Sequence, residues 1–342
     1  MAFLTLQLLF RRLVLAIPIL LCVSALVFGI LRLLPADPVG MSLPPGATAA
    51  DYEKLKQAFG LDRPLFEQYL IWLGKLVSGD LGGSIFFRRP VAELVAKALP
   101  ATLELVAAGF ILGVIIGVSG GLGMFAMRGR AGEHVLDGAT TVMMAIPEFL
   151  WAILLILFVG VGLQLLPFIG RLGPGIPLPQ PVTGFLLVDS VLTGRWDSLR
   201  SALLHLVLPA VALAIGLAPL VMRILRSSLL ETVQDDYVTQ ARLRGVSERR
   251  ILLRHALPNA ALPTLSLIGV QGGFMFGGTV LVEMIFAYPG IGNLMVDAVR
   301  NHDLPVIQAV ALVYCVLVLG INAMVDVAYL AVNPRLRLAG IR

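Results

Sequence analysis

Charged residues are scarce in this chain: Asp, Glu, Lys and Arg together make up 14% of its 342 residues. A soluble domain of similar length would carry about a quarter charged residues. Hydrophobic residues account for 58% of the sequence, and the mean hydropathy is +0.91. The shortage of charge therefore excludes an ordinary soluble protein and indicates an integral membrane protein.

Residues that commonly bind metals or perform catalysis are also few. The two cysteines, Cys22 and Cys315, lie inside apolar runs, where they behave as small hydrophobic residues and not as a disulfide or a metal site. There is no metal-ligand spacing, no nucleotide-binding Walker motif and no nucleophile–base pair. The sequence thus predicts no catalytic residue, no metal and no cofactor. The histidines fall at or outside the ends of apolar runs: His134, His205, His255 and His302.

Six apolar runs have the length of a membrane-spanning helix, which needs about 20 residues. The first is preceded by Arg11-Arg12, but it is too long for the core of a signal peptide and lacks a cleavage site, so it is read as a retained span. The sequence predicts an all-α membrane protein. The predicted spans cover approximately residues 13–32, 101–127, 138–163, 203–222, 260–282 and 304–330.

The distribution of Lys and Arg gives the orientation. With six spans both termini lie on the same side of the membrane, and the density of Lys and Arg is about twice as high in one set of loops as in the other, which marks the cytoplasmic side. The predicted organisation is a cytoplasmic N-terminus, a first span, a periplasmic loop region, a core and a cytoplasmic tail. These parts cover residues 1–12, 13–32, 33–100, 101–330 and 331–342.

Glycine recurs every fourth residue in the second span, at Gly109, Gly113, Gly117 and Gly121. This spacing places all four on one stripe of a helix, where small residues let another helix approach closely. We therefore predict that the stripe faces a helix and not lipid.

A polar stretch, residues 229–263, separates the fourth and fifth spans and is called the hairpin below. Asp235 and Asp236 are good N-cap residues for a first helix over 237–244. Gly245 suits the end of that helix, because glycine enters the left-handed conformation freely.

The hairpin continues with a second predicted helix over residues 248–257, which Ser247 can cap. Pro258 and Pro263 are predicted to break the chain before the next span. Two interpretations of the hairpin remain open. It is either a surface for another cytoplasmic protein or a basic loop that only obeys the topology rule.

The amino-acid sequence of the hairpin resembles the "EAA" loop of bacterial ABC importer permeases. It contains DYV-x-x-A-R-x-x-G and RHAL-x-NA-x-LP, which are typical of the dipeptide/oligopeptide permease family. The resemblance covers nearly the whole chain. It includes ALPATLEL at 98–105, VEMIFAYPGIGNLMVDAV at 282–299 and VDVAYLAVNPRLR at 325–337, and the insert at 181–190 is closest to the dipeptide branch.

The resemblance implies a type I-like permease core of six helices in the bacterial inner membrane. It implies a second, similar permease, two cytoplasmic ATP-binding subunits and a periplasmic solute-binding protein as partners. ATP hydrolysis would belong to the partner subunits. It further implies that Tyr237, Ala241 and Ile251 contribute to an apolar contact with an ATPase. The implied coupling residues are Glu231, Asp236, Tyr237, Ala241, Gly245, Ile251 and Leu257.

Glu148 is an unusual residue for the middle of a span. On a continuous third helix it would lie about 16 Å from the cytoplasmic end, at 1.5 Å per residue. An unpaired carboxylate there costs about 2.5–3.5 kcal/mol on insertion scales. Glu148 either lines the translocation path, where it can meet a peptide's ammonium group, or makes a structural hydrogen bond to a neighbouring helix or permease.

Other functions stay open from the sequence. An ion-coupled secondary carrier usually has several ionisable groups or broken helices at mid-membrane, and here Glu148 is the one good candidate. Within the importer family, dipeptides are the default substrate. Family members with similar sequence motifs transport longer peptides, glutathione, nickel chelates or haem.

Overall fold

The computed structural model describes residues 2–33, 40, 48–58 and 62–332, and these residues are almost entirely helical, with no β-strand among them. The predicted tail lies outside the described residues from position 333 onward. The helices are α1 (Ala2–Leu33), α2 (Ala49–Ala58), α3 (Leu65–Val77), α4 (Val91–Ala126), α5 (Ala131–Ala145), α6 (Glu148–Leu155, continued by a π-helical stretch Ile156–Gly162), α7 (Leu186–Leu192), α8 (Trp196–Thr232), α9 (Asp236–Leu243), α10 (Glu248–Arg250, continued by a π-helical stretch Ile251–Ala256), α11 (Leu257–Ile285), α12 (Ile291–Arg300) and α13 (Leu304–Val332).

Among the described residues, five helical segments are long and apolar enough to cross a membrane, and a bent pair of helices supplies a sixth. This agrees with the six predicted spans, and several helices extend beyond the predicted borders. Helix α4 begins at Val91, so the border at 100/101 falls inside a helix, and α1 already begins at Ala2. Helix α8 extends well beyond the predicted 203–222, because its polar ends continue the helix outside the apolar run.

The third predicted span is broken. Its two halves, α5 and α6, meet at an angle of 103°. Ile146 has an extended backbone (φ −98°, ψ 125°) because the ring of Pro147 disfavours the helical conformation of the residue before it. The third span is thus not one continuous helix, and Glu148 opens its second half, α6.

Helix α8 forms the centre of the bundle and runs parallel to α4. The four glycines of α4 face it in register: a Cβ built at Gly109, Gly113, Gly117 or Gly121 would contact the Cβ of Leu213, Leu217, Val221 or Leu225, respectively. All four glycines are buried. The prediction that this stripe faces a helix is confirmed.

The two ends of the bundle differ, and we call them the hairpin end and the far end. At the far end Asp303, which is fully buried, holds the loop before α4. Its carboxylate accepts hydrogen bonds from the Ser84 hydroxyl and from the amides of Ile85 (3.2 Å) and Phe86 (3.1 Å). The Ser84 oxygen in turn accepts from the amide of Phe87 at 2.8 Å. One carboxylate thus joins the start of α13 to the loop that precedes α4.

We expect Asp303→Ala to lower the free energy of unfolding by about 2–3 kcal/mol, because several buried donors lose a charged acceptor. The amides of residues 85–87 should exchange hydrogen faster as well. Thermal unfolding and hydrogen–deuterium exchange of the purified protein measure both effects. Asp297→Ala is the matched control, since no contact of the Asp297 side chain is seen among the described residues. Equal protection of residues 85–87 in both variants would refute the anchoring role of Asp303.

Candidate coupling hairpin and pathway residue

The turn of the hairpin has the predicted conformation. Helix α9 ends at Leu243, and Gly245 adopts a left-handed backbone with φ +74°. Its amide donates to the carbonyl of Arg242 at 2.9 Å, and the amide of Val246 reaches the carbonyl of Ala241 at 3.2 Å. The glycine stop is confirmed. Space is open around it, because a Cβ at Gly245 would have no heavy atom within 4 Å apart from its own chain neighbours.

The predicted N-cap residues have the backbone conformation of a helix N-cap but lack the side-chain hydrogen bond. Asp235 and Ser247 have extended dihedrals (ψ 147° and 144°), which place them at the N-cap positions of α9 and α10. Neither side chain makes a capping hydrogen bond. Instead, an ion pair crosses the turn, since Arg242 Nε donates to Glu248 Oε1 at 2.8 Å.

The predicted break at the two prolines is wrong. One helical segment runs from Glu248 to Ile285 and passes through Pro258 and Pro263. Pro258 lies in the first turn of α11, directly after the π-helical stretch Ile251–Ala256. Wider π turns are a common way to absorb the missing amide donor of a proline. The second half of the hairpin is therefore one piece with the fifth span.

The inner side of the hairpin is a small apolar cluster. Val238 and Ile251 are nearly inaccessible (0% and 1% exposed), and they pack with Ala241 and Val246. Ala241 and Ile251 are thus buried within the hairpin. The sequence analysis had expected them to be exposed together with Tyr237. The structure corrects that expectation because two facing short helices bury their shared apolar side first.

The exposed side of the hairpin carries the remaining predicted coupling residues. Glu231 and Asp236 are exposed, Tyr237 is 39% exposed, and Leu243 at the tip is 84% exposed. The hydroxyl of Tyr237 accepts a hydrogen bond from the side chain of Asn259 at 2.9 Å, so its ring is fixed against α11. Leu243, which the sequence analysis did not single out, is the most exposed large apolar residue of the hairpin.

The base of the hairpin is packed against the bundle. Leu257 belongs to an apolar cluster in which Phe125 of α4 and Leu225 and Leu229 of α8 meet Ala260 of α11. This cluster connects the hairpin to the two helices that form the glycine contact. A force applied at the hairpin therefore reaches the centre of the bundle through packed side chains.

Glu148 lies where α6 crosses α8 and α11. Its carboxylate rests against two glycines: a Cβ built at Gly278 would lie 2.7 Å from Oε1, and one at Gly216 would lie 3.0 Å from Oε2. Oε1 is buried, and no described residue donates a hydrogen bond to it. The structure therefore places an acidic group with an unsatisfied oxygen inside the bundle, next to the break in the third span.

Besides Asp303, Glu283 and Glu104 are buried carboxylates at the far end, and the sequence analysis missed their roles. Glu283 accepts hydrogen bonds from the Thr102 hydroxyl (2.5 Å) and the Asn293 amide (3.0 Å), and it fills the space beside Gly290. It thereby joins α4, α11 and the loop before α12. The signal was available, because an acidic residue at the end of an apolar run followed by a glycine-rich turn suggests a side chain that binds backbone amides.

The second far-end carboxylate, Glu104, pairs with Arg171 of the long loop and accepts from the Leu187 amide at 2.9 Å. The Arg171 guanidinium lies 5.6 Å from the ring centre of Tyr288. Burial raises the pKa of Tyr288 to about 12, so its hydroxyl stays neutral there. Both far-end carboxylates are satisfied by partners within the chain, which distinguishes them from Glu148.

Comparisons with known proteins agree with this geometry. Residues 109–338 match the family described as "Binding-protein-dependent transport system inner membrane component", and residues 5–106 match its N-terminal companion. The chain is 35% identical to the dipeptide transport system permease protein DppB of Escherichia coli strain K12, over 97% of this chain and 99% of that protein. It is 38% identical to the di/tripeptide permease DppB of Pseudomonas aeruginosa, over 96% and 97%.

A glutathione transport system permease, GsiC of Escherichia coli O6:H1, is 35% identical over 96% of this chain and 97% of its own length. Among solved structures, the chain resembles the MetNI methionine ABC transporter in an inward-facing conformation, with a TM-score of 0.54 and 18% identity. That likeness covers 71% of this chain and 97% of the other. At this identity it supports the fold: a type I ABC importer permease core.

Proposed function

The chain belongs to the family of inner membrane components of binding-protein-dependent transport systems, and we propose that it is one of two permease subunits of an ATP-driven importer of dipeptides and oligopeptides. Peptide permeases among its relatives, matched over nearly their whole length, support the substrate class. The glutathione permease fits the same class, because glutathione is itself a small peptide.

The proposed orientation places the hairpin in the cytoplasm, on the side favoured by the density of Lys and Arg. There Glu231, Asp236, Tyr237 and the tip residue Leu243 form the surface that enters a groove on an ATP-binding subunit. Ala241, Ile251 and Leu257 act from within, by holding the two hairpin helices together and against the bundle. A second permease, a second ATP-binding subunit and a periplasmic binding protein complete the proposed complex.

The observation that carries this proposal is the unbroken helical segment from Glu248 to Ile285. Because the second half of the hairpin and the fifth span form one continuous helical segment, closure of the ATP-binding subunits moves α11 directly. The packed cluster at the base of the hairpin passes that motion to α4 and α8. This is an alternating-access step by rigid-body movement of packed helices.

Cysteine crosslinking tests the contact. Leu243→Cys should crosslink to a cysteine placed in the groove of the co-expressed ATP-binding subunit, because Leu243 is 84% exposed at the tip. Val238→Cys, on the same helix but 0% exposed, is the matched control and should stay unlinked. Co-purification of the subunits should accompany the crosslink. If no ATP-binding subunit co-purifies and Leu243→Cys gives no product, the importer assignment fails.

We also propose that Glu148 lines the translocation path. A carboxylate oxygen without a donor, held against two glycines at a helix break, can accept a hydrogen bond from a passing ammonium group once rearrangement of the packed helices exposes it. Peptides of this class carry such a group at their amino terminus. The alternative role, a structural hydrogen bond, would have to come from the partner permease, since no described residue supplies one.

Glu148→Gln keeps the shape and removes the charge. We expect it to reduce dipeptide uptake by about tenfold or more, the equivalent of a lost hydrogen bond to a charged group. Gly278→Ala should have a similar effect, since its Cβ would lie 2.7 Å from Oε1. Gly277→Ala is the matched control, because a Cβ at Gly277 would have no heavy atom within 4 Å. Uptake is measured at equal amounts of membrane-inserted protein, and unchanged uptake in Glu148→Gln leaves only the structural role.

A further inference from the structure

A cavity of about 610 Å³ opens at the hairpin end, between the end of α4 and the hairpin. Its polar wall is formed by Arg128, Arg242, Arg249 and Glu248, and its apolar wall includes Phe125 and Leu252. None of these cations is needed to explain the proposed contact of Leu243 with an ATP-binding subunit. The cavity is thus a separate feature of the hairpin end.

The charges around the cavity do not balance. Arg242 is paired with Glu248, at 2.8 Å from Nε to Oε1. Among the described residues no carboxylate lies within ion-pair distance of Arg128 or Arg249. Two guanidinium groups therefore line the cavity without a close ion pair, and the three arginines exceed the single carboxylate of Glu248, which favours an anion there.

The Arg128 side chain is held in place for this role. Its guanidinium lies 4.4 Å from the ring centre of Phe125, and Nη1 donates to the carbonyl of Phe125 at 3.3 Å. This uses a small part of the donor capacity of a guanidinium, which has five N–H groups in a planar fork suited to phosphate. Preorganisation on an aromatic ring reduces the entropy lost on binding.

We propose that this cavity binds a phosphate group, and that the group is the phosphodiester headgroup of an anionic phospholipid. The apolar wall favours a lipid over free phosphate, since Phe125 and Leu252 belong to or pack against the apolar cluster at the base of the hairpin. Basic pockets between helices at the cytoplasmic boundary are typical sites for anionic headgroups. The bound lipid would brace the hairpin against α4.

Native mass spectrometry tests the proposal on the full-length chain, purified with its co-purifying subunits from nanodiscs containing phosphatidylglycerol and phosphatidylcholine. Arg128→Gln and Arg249→Gln should each lower the retention of phosphatidylglycerol by about fivefold. Arg250→Gln is the matched control, because Arg250 is an exposed hairpin arginine that does not line the cavity. Arg249 is exposed as well, so its replacement should not disturb folding.

A second arm separates the two sources of phosphate. Inorganic phosphate at millimolar concentration, added in phosphatidylcholine nanodiscs, should bind far more weakly than phosphatidylglycerol. Equal retention of phosphatidylglycerol in Arg128→Gln, Arg249→Gln and Arg250→Gln would overturn the site. Tight binding of inorganic phosphate without lipid retention would overturn the lipid assignment. Retention is read without transport, so neither result depends on the importer being active.

Discussion

Gly117→Leu is expected to prevent stable assembly of the bundle. A Cβ at Gly117 would lie 2.6 Å from the Cβ of Val221 and 3.1 Å from the backbone carbonyl of Ala218. The backbone atom cannot move aside, so α4 and α8 would have to separate along the contact that forms the core. Overpacking of this kind costs about 1–3 kcal/mol for small insertions, and leucine adds more than one methylene.

The measurement is yield and thermal unfolding in detergent, where we expect a fall in melting temperature of at least about 5 °C. Gly113→Leu should be milder, because the atoms nearest its Cβ belong to the Leu217 side chain, at 3.0–3.3 Å, and are less close than those around Gly117. Gly320→Leu in α13 is the control, since nothing lies within 4 Å of that position. A Gly117→Leu protein as stable as the Gly320→Leu protein would show that α4 and α8 do not pack as described.

Gly245→Asp is expected to give a folded, membrane-inserted protein that no longer couples ATP hydrolysis to transport. The new Cβ meets no neighbour, so the bundle itself is undisturbed. The left-handed backbone at φ +74° costs most residues with a Cβ about 1–2 kcal/mol and Asp less, so the main effect is the charge that the carboxylate adds beside the proposed ATP-binding subunit. We expect dipeptide uptake to fall by about tenfold or more.

Two companion variants separate the causes. Gly245→Asn has nearly the same size and tolerates the left-handed conformation without adding charge, so it should keep most of the uptake. Gly245→Val is β-branched and disfavours that conformation, so it should lose uptake without any charge. Uptake and ATP hydrolysis are measured in the reconstituted complex. Normal coupling in both Gly245→Asp and Gly245→Val would rule out Gly245 as the pivot of the hairpin.

Much of this fold follows from local patterns in the sequence. Apolar runs set the number of spans, because a bilayer accepts helices of one length. The four-residue spacing of Gly109 to Gly121 identified the face of α4 that meets α8. Gly245 marked the turn of the hairpin, since a left-handed residue after a helix is most often glycine. These features depend on chemistry within one turn or one helix.

The rest depends on contacts between segments that are distant in sequence. The third span breaks at Pro147, whereas Pro258 lies in the first turn of α11 after a π-helical stretch, so proline alone did not reveal which helix would be interrupted. The partners of Asp303 are more than 200 residues away, so no spacing rule could reveal them. The burial of Ala241 and Ile251 likewise required the second hairpin helix to be in place.

In the proposed importer, the hairpin acts as a lever because its second half is continuous with the fifth span. Its tip is exposed, its interior is closed by Val238 and Ile251, and its base is locked into the cluster around Leu225. Glu148 lies between α8 and α11, so rearrangement of those helices would alter its surroundings. In the proposed mechanism, substrate contact and ATP-driven motion therefore involve the same helices.

Uptake of a labelled dipeptide by cells with and without this chain, measured beside uptake of labelled nickel, tests the peptide importer most directly. We expect deletion to abolish dipeptide uptake and to leave nickel uptake unchanged. Re-expression should restore dipeptide uptake only while the ATP site of the partner subunits is intact. Dipeptide uptake that persists after deletion, or that continues in re-expressing cells when the ATP site is blocked, would contradict an ATP-driven peptide importer built on this chain.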